Sequence, residues 1–118
     1  MSLVFYFLDD EESFCEIFNE FMTSLGYDAS VFIDHKEALQ EVKKRPSDVI
    51  CIDYRLKGIT GDEVAKQIPD SAAKILLTGE LHFKNEHLFD AHLNKPFRLP
   101  ELKVLIDKVH ERKLSSDK

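Results

Sequence analysis

Short runs of apolar residues alternate along the chain with longer stretches in which apolar residues recur every three or four positions. Apolar runs of this length are typical of buried strands, and the longer spacing is typical of helices that pack one face on a sheet. The predicted strands cover residues 3–8, 29–33, 49–52, 75–77 and, more weakly, 91–93. Strict alternation of strands and helices is typical of βαβ units and a parallel sheet. We therefore predict an α/β fold, a three-layer sandwich with five strands and about five helices.

The predicted helices begin and end at recognisable residues. The first has its apolar side chains on one face and stops at Gly26. Asp34 and Glu37 have the spacing of a capping box that opens a second helix, which runs to about residue 44. Pro69 ends a short helix over residues 62–68, and Pro100 begins a last helix that runs to about residue 113. We expect residues 114–118 to form a frayed tail and residues 1–118 to form a single domain, because 118 residues suit one hydrophobic core.

Composition limits the classes of function. The chain has 22 acidic and 16 basic residues and a net charge of -6, which disfavours direct binding to nucleic acid. Cys15 and Cys51 both lie in apolar runs and are too few for a disulfide scaffold or a cysteine-based zinc site, which indicates a reducing compartment. The longest apolar run is far shorter than a membrane span. We therefore expect a cytoplasmic protein without a membrane partner.

Polar residues follow four of the five predicted strands. Asp9 and Asp10 follow the first, Asp53 the third and Thr78 the fourth, while the fifth leads into Lys95. In an open parallel sheet the functional crevice lies beyond the carboxyl ends of the strands. Three carboxylates that meet there repel one another unless a cation lies among them. Oxygen ligands without nearby histidine or cysteine favour Mg²⁺ (or Mn²⁺), so the sequence predicts a site for such an ion.

This set of groups is suited to accepting a phosphoryl group. Asp53 is the best candidate nucleophile because it stands alone after the most buried strand, whereas Asp9 and Asp10 form a pair suited to metal binding. The Lys95 ammonium would neutralise phosphoryl oxygens, and the Thr78 hydroxyl would donate a hydrogen bond to them. A single Asp after a strand is more often a helix cap or turn residue. Four suitable groups after four strands are much harder to explain in that way.

The sequence resembles the receiver domain of response regulators in two-component signalling, over essentially the whole chain. The resemblance is carried by Phe7-Leu8-Asp9-Asp10-Glu11, Val49-Ile50-Cys51-Ile52-Asp53, Gly61, Leu76-Leu77-Thr78-Gly79 and Lys95-Pro96-Phe97. It implies a flavodoxin-like sheet with strand order 2-1-3-4-5. It also implies a phosphorelay function, in which a sensor histidine kinase or phosphotransfer protein donates the phosphoryl group. The output would pass to a downstream protein or a fused output domain, and a phosphorylation-dependent dimer is a further expectation.

The resemblance also implies a role for each site residue. Asp53 would accept the phosphoryl group in a self-catalysed reaction, without turnover of an external substrate. Asp10, Asp53, the backbone carbonyl of Arg55 and, through water, Asp9 would hold Mg²⁺. The phosphoryl oxygens would contact Thr78, Gly79 and Lys95, and the Lys95-Pro96 bond would be cis. Thr78 and the side chain at position 92, here His92, would form the switch that alters the readout face around helix four, strand five and helix five.

Several positions depart from the family pattern. Lys57 stands where proline is common, which predicts a more mobile loop after Asp53. The 17 positions from Thr78 to Lys95 are several fewer than usual, so we expect helix four to be short or irregular. Arg55 and Glu80 each lie two residues beyond a site residue, at places that influence water access to the acyl phosphate in this family. We hypothesise that these two side chains pair across the site and slow hydrolysis.

Three other functions compete with this interpretation. A receiver-like interaction module that is never phosphorylated would share the fold. A flavodoxin-like cofactor binder would need a phosphate cradle after strand one, where this chain has acidic residues. A metal-dependent phosphatase with an Asp nucleophile usually has a second acid two positions on, where this chain has Arg55. Incubation with Mg²⁺ and acetyl phosphate would separate the interaction module from the phosphatase, and a yellow purified protein would indicate the flavin binder.

Overall fold

Five parallel strands form the central sheet of the computed structural model, which describes residues 3–80 and 86–116. The strands in chain order are β1 (Val4–Leu8), β2 (Asp28–Phe32), β3 (Val49–Asp53), β4 (Arg55–Leu56), β5 (Ile59–Thr60), β6 (Ala73–Thr78) and β7 (Ala91–Asn94). The helices are α1 (Glu12–Ser24), α2 (His35–Lys44), α3 (Gly61–Ala65) and α4 (Leu99–Ser116), and Glu86–Leu88 form one 3₁₀ turn.

The sheet has the order β2-β1-β3-β6-β7, with every neighbouring pair parallel. This is the predicted order 2-1-3-4-5 when the five strands of the sheet are counted alone, so the α/β fold class and topology are confirmed. All residues of β3 and β6 are buried. A parallel sheet covered by helices on both faces requires apolar residues at consecutive positions, which explains the unbroken apolar runs in the sequence.

Alternating side chains of the strands form two core layers. Phe5 and Phe7 point to the layer that also contains buried residues of α1 and α4, whereas Tyr6 and Leu8 belong to the layer with α2 and α3. The period-two alternation of a strand thus divides one apolar run between both faces of the sheet. The predicted three-layer sandwich is confirmed. None of the helices in the described ranges is long and apolar enough to span a bilayer.

The loop after β3 is a β-hairpin, although Lys57 predicts greater mobility there. Arg55 pairs with Thr60 and Leu56 with Ile59, and Gly58 provides the turn with a φ of 77°. Leu56 and Ile59 pack against the core layer of α2 and α3. Strands of two residues leave no periodic pattern, so this hairpin was not predicted.

The ends of two helices differ from the predictions. α3 ends at Ala65 rather than at residue 68. α4 continues through Ser116, so Leu114 belongs to the helix and the predicted frayed tail at 114–118 is wrong for residues 114–116. No Gly or Pro follows Pro100 to end that helix.

The described part of the connection from β6 to β7 contains the 3₁₀ turn alone. The described ranges therefore contain four α-helices rather than about five, and the short or irregular helix four expected from the sequence falls partly on residues 81–85, which lie outside the described ranges.

Candidate functional site

The carboxyl ends of β1, β3, β6 and β7 meet at one edge of the sheet. Leu8 is in register with Ile52, which places the following residues, Asp9 and Asp53, side by side. Lys95, which follows β7, donates its backbone N–H to the carbonyl of Thr78, the last residue of β6, at 2.8 Å. Parallel pairing thus brings residues that are far apart in sequence into one crevice.

Three carboxylates are concentrated in this crevice. Asp9, Asp10 and Asp53 each offer a carboxylate oxygen, and these oxygens lie within 4.8 Å of one another. Asp9 and Asp53 are only 2% and 6% exposed, whereas Asp10 is partly exposed. Buried carboxylates at this separation repel one another strongly. The set of hard oxygen donors fits the divalent cation predicted from the sequence.

Lys95 provides a cation within this acidic cluster. Its Nζ lies 2.9 Å from Asp53 Oδ1 and 3.4 Å from Asp9 Oδ2. Asp9 Oδ1 also accepts the backbone N–H of Glu11 at 3.0 Å, which orients its carboxylate. One ammonium cannot balance three carboxylates, so the crevice retains a negative charge that attracts a further cation.

The pKa shifts of the central pair reflect burial and charge together. Burial raises the pKa of Asp53, and the hydrogen bond from Lys95 lowers it only in part, while the nearby Asp9 raises it further. Burial acts to lower the pKa of Lys95, but its hydrogen bond to Asp53 and the charge of Asp9 outweigh burial and raise it. Lys95 therefore stays protonated, and additional positive charge would favour the ionised form of Asp53.

A cavity of about 210 Å³ opens above Asp53. It is lined by Asp53, Tyr54, Arg55, Thr78, Gly79, Glu80 and Lys95. The Thr78 hydroxyl oxygen accepts the backbone N–H of Glu80 at 3.0 Å, so the hydroxyl proton can be donated to another group. Tyr54 was not predicted as a lining residue. Its position directly after Asp53 in the sequence could have indicated that it lies beside the site.

Lys95 also lines a second, larger cavity. This cavity of about 430 Å³ has Phe14, Pro96 and Phe97 as apolar walls beside the acidic Asp9 and Glu11. The Lys95-Pro96 peptide bond is cis, which confirms the expectation from the resemblance.

Arg55 and Glu80 form an ion pair across the mouth of the smaller cavity, as the hypothesis from the sequence requires. The Arg55 side chain is 76% exposed, and its guanidinium carbon lies 5.9 Å from the centre of the Tyr54 ring. The effect of this pair on hydrolysis stays a prediction, as does the metal contact assigned to the Arg55 carbonyl.

His92 does not line the cavity above Asp53 in the part of the chain that the structure describes. Its side chain is exposed on the edge strand β7, beside a separate cavity that Glu101, Val104 and Lys108 of α4 also line. The switch role of Thr78 and His92 therefore stays a prediction.

Comparisons with known proteins agree with this geometry. The family model described as the response regulator receiver domain matches residues 5–107. The sensor histidine kinase AtsR of Burkholderia thailandensis is 31% identical over 113 residues, which cover 86% of this chain and 19% of that protein. The sensory transduction protein RegX3 of Mycolicibacterium smegmatis is 25% identical over 117 residues, 93% of this chain and 51% of that protein. The chain spans about half or less of these curated relatives.

Solved structures show the same fold. A CheY-like receiver domain from Methanospirillum hungatei superposes with a TM-score of 0.90 at 18% identity, covering 98% of this chain and 99% of that chain. The response regulator TrrA of Thermotoga maritima, solved in complex with Mg²⁺-BeF, has a TM-score of 0.81 at 29% identity, covering 92% of this chain and 99% of that chain. With the sheet order, the acidic crevice and a family match over most of its length, the chain belongs to the response regulator receiver domain family.

Proposed function

We propose that this receiver domain accepts a phosphoryl group on Asp53 in a Mg²⁺-dependent, self-catalysed reaction. The observation that carries the proposal is the position of Lys95 Nζ, 2.9 Å from Asp53 Oδ1 and 3.4 Å from Asp9 Oδ2, inside a cluster of three carboxylates. An ammonium placed between an acceptor carboxylate and a metal-binding carboxylate can neutralise a phosphoryl group that arrives at the acceptor.

The transfer follows from the chemistry of these side chains. A carboxylate oxygen of the ionised Asp53 forms a bond to phosphorus, and the bond from phosphorus to the donor breaks. The electron pair of that bond leaves with the donor, an imidazole nitrogen of phosphohistidine or the acetate oxygen of acetyl phosphate. The Lys95 ammonium and the Thr78 hydroxyl stabilise the phosphoryl oxygens, and the Gly79 backbone is a further contact. The product is an acyl phosphate on Asp53.

The metal contribution rests on the acidic cluster. Asp9, Asp10 and Asp53 would hold Mg²⁺ (or Mn²⁺), with the Arg55 backbone carbonyl as a further ligand. The bound ion would supply positive charge that neutralises phosphoryl oxygens. The Mg²⁺-BeF complex of the similar regulator TrrA supports this assignment.

The partners in this proposal are proteins. A sensor histidine kinase or a phosphotransfer protein would donate the phosphoryl group, and a downstream protein or a fused output domain would receive the signal. The match to the sensor kinase AtsR and to RegX3 supports a place in such a system. Thr78 and His92 would link phosphorylation to the readout face, and the protein would act in the cytoplasm.

Phosphorylation with a small donor tests this function. The wild-type domain is incubated with Mg²⁺ and acetyl phosphate, and intact mass spectrometry should show a gain of one phosphoryl group. Asp53→Asn should abolish the gain, because the amide is a poor nucleophile. Asp48→Asn is the matched control, because Asp48 directly precedes the strand that ends at Asp53, and its Oδ2 accepts the Val4 N–H at 2.8 Å, a bond that an amide oxygen can also accept.

Two of the other outcomes identify competing functions. No mass gain in the wild type would favour the unphosphorylated interaction module. Continuous phosphate release without a stable adduct would favour a phosphatase. An unchanged gain in Asp53→Asn would move the acceptor to a different residue.

A further inference from the structure

Gly61, the first residue of α3, lies directly against the backbone of Asp53. A Cβ atom at position 61 would be 2.8 Å from the Asp53 carbonyl oxygen and 3.0 Å from Tyr54 Cα. The Gly61 N–H also donates to the Tyr54 carbonyl at 2.7 Å. Both close atoms belong to the backbone and cannot rotate away as a side chain would. Any residue larger than glycine therefore has to displace the peptide that carries Asp53.

The other glycines have different explanations. Gly26 and Gly58 have φ values of 91° and 77°, which favour glycine by themselves. A Cβ at Gly79 would meet nothing within 4 Å, although Gly79 lines the cavity above Asp53. Close approach to the Asp53 backbone therefore distinguishes Gly61 from the three others.

The contact matters because Asp53 is the last residue of β3. Its carboxylate reaches Lys95 Nζ at 2.9 Å, and a displaced backbone would alter this distance. Reacting groups have to approach within about 3–3.5 Å in a defined direction, and a misplacement of about 1 Å lowers a rate by about 100-fold.

We propose that Gly61 is a positioning residue for the phosphoryl acceptor. Its missing side chain allows the first turn of α3 to press on the Asp53 carbonyl, which fixes the carboxylate beside Lys95. This inference rests on the proposed acceptance of a phosphoryl group by Asp53.

The test compares phosphorylation rates of wild type and Gly61→Ala. Both are incubated with Mg²⁺ and increasing acetyl phosphate, and the rate constant is divided by the folded fraction measured by circular dichroism. The rate constant at saturating acetyl phosphate should fall about 10- to 100-fold, with little change in the concentration that gives half the maximal rate. A purely structural role would lower the folded fraction and leave the rate per folded molecule unchanged, which would overturn the proposal.

A second background separates backbone displacement from side-chain crowding. The Cβ at position 61 would also lie 3.2 Å from Leu76 Cδ1, an atom that Leu76→Val removes. Gly61→Ala in the Leu76→Val background should still be about 10- to 100-fold slower than Leu76→Val alone. Equal rates in that background would show that core crowding causes the defect. The same comparison serves if Gly61→Ala alone is too unstable to assay.

The controls distinguish the two proposals. An absence of phosphorylation in the wild type would contradict the proposed function, and with it this inference. A wild type that is phosphorylated on Asp53, with a Gly61→Ala variant that reacts equally fast, would contradict the positioning role alone.

Discussion

Single charged residues determine what the crevice can bind. Lys95 contacts two of the three clustered carboxylates, while Arg55 pairs with Glu80 at the mouth of the same cavity. Lys95 thus lies within the acidic cluster, and Arg55 lies at the mouth of the cavity above Asp53. Lys95 would stabilise the phosphoryl group, whereas the pair of Arg55 and Glu80 would restrict access of water to it.

Removal of either partner at the entrance should shorten the lifetime of phosphorylated Asp53. Exposed ion pairs contribute about 0.2–1 kcal/mol, so we expect Arg55→Ala and Glu80→Ala each to accelerate hydrolysis by up to about fivefold. The measurement is the decay of the phosphorylated mass after the donor is removed. The double variant should decay no faster than the faster single variant, because both changes break the same pair.

Lys57→Ala is the matched control for this prediction. Lys57 is an exposed cation in the turn of the hairpin that begins at Arg55. Its removal should leave the lifetime unchanged. Unaltered lifetimes in Arg55→Ala and Glu80→Ala would show that the pair does not restrict water.

The sequence predicted which residues meet in the crevice better than how they contact one another. Asp9, Asp53 and Thr78 were predictable because each directly follows an apolar run and parallel strands align their ends. The double contact of Lys95 was not predictable, because it depends on side-chain conformations. Gly61 was recognised from a motif, but its contact with the Asp53 carbonyl requires coordinates.

The elements show how far hydrophobic periodicity predicts local structure. The helical spacing in α1 reflects its buried face, on which Phe18 is 0% exposed and its ring centre lies 4.0 Å from that of Phe7. Ile17, the preceding residue, is 58% exposed, so the prediction that the apolar side chains of this helix share one buried face is wrong at this position. Neighbouring positions on a helix point in directions about 100° apart, so one residue can be core and the next surface.

Truncations of these two neighbours should therefore differ in cost. Phe18→Ala should lower the free energy of unfolding by about 3–5 kcal/mol, because it leaves a cavity between α1 and the sheet. Ile17→Ala should change it by no more than about 0.5 kcal/mol, as is usual for surface positions. Urea unfolding followed by circular dichroism measures both. Similar costs for the two variants would contradict the assigned helix face.

Element ends were less predictable than element types. α3 stops at Ala65, and α4 continues through Ser116. Pro69 set a limit on α3 but not its last residue, and no comparable signal follows Pro100 in α4. The hairpin of β4 and β5 escaped prediction because its strands have two residues each.

Contacts between distant elements hold the whole molecule together. The Tyr27 hydroxyl donates to Asp107 Oδ1 at 2.7 Å, which joins the residue before β2 to α4. Lys103 Nζ lies 2.7 Å from the other oxygen of Asp107. Tyr27 and Asp107 are 80 residues apart in the chain and polar, so no local pattern indicates that they meet.

This contact predicts a pH dependence of stability. Burial first, and then the hydrogen bond to Asp107, raise the pKa of Tyr27 to about 12 from its ordinary value of 10.0. Because the folded pKa is higher, the stabilisation is fully present below about pH 10 and is lost as pH rises toward 12. Wild type should exceed Tyr27→Phe by about 0.5–1.5 kcal/mol in unfolding free energy below pH 10, and the difference should vanish near pH 12. Equal stability below pH 10 would contradict the hydrogen bond.

The net charge of -6 includes a local concentration of acidic groups whose repulsion a divalent ion would relieve. Mg²⁺ at 100 times its Kd should therefore stabilise the folded domain by about 2.7 kcal/mol. The thermal midpoint should rise accordingly, beyond the effect of NaCl at equal ionic strength. Asp10→Asn should weaken this response and stabilise the Mg²⁺-free domain, because one of the repelling charges is removed.

Glu12→Gln is the matched control for the metal prediction. Glu12 is an exposed acid two residues beyond Asp10, at the start of α1. Its substitution should leave the Mg²⁺ response intact. A response in Asp10→Asn equal to that of wild type would place the ion elsewhere.

The most direct test of the central claim is chemical identification of the phosphorylated residue. After reaction with Mg²⁺ and acetyl phosphate, borohydride reduces an aspartyl phosphate to homoserine, and peptide mass spectrometry locates the converted residue. We expect homoserine at position 53 and at no other aspartate, with none in a sample that lacks acetyl phosphate. Conversion at a different aspartate, or a phosphorylated protein without conversion at position 53, would contradict the assignment of Asp53 as the phosphoryl acceptor.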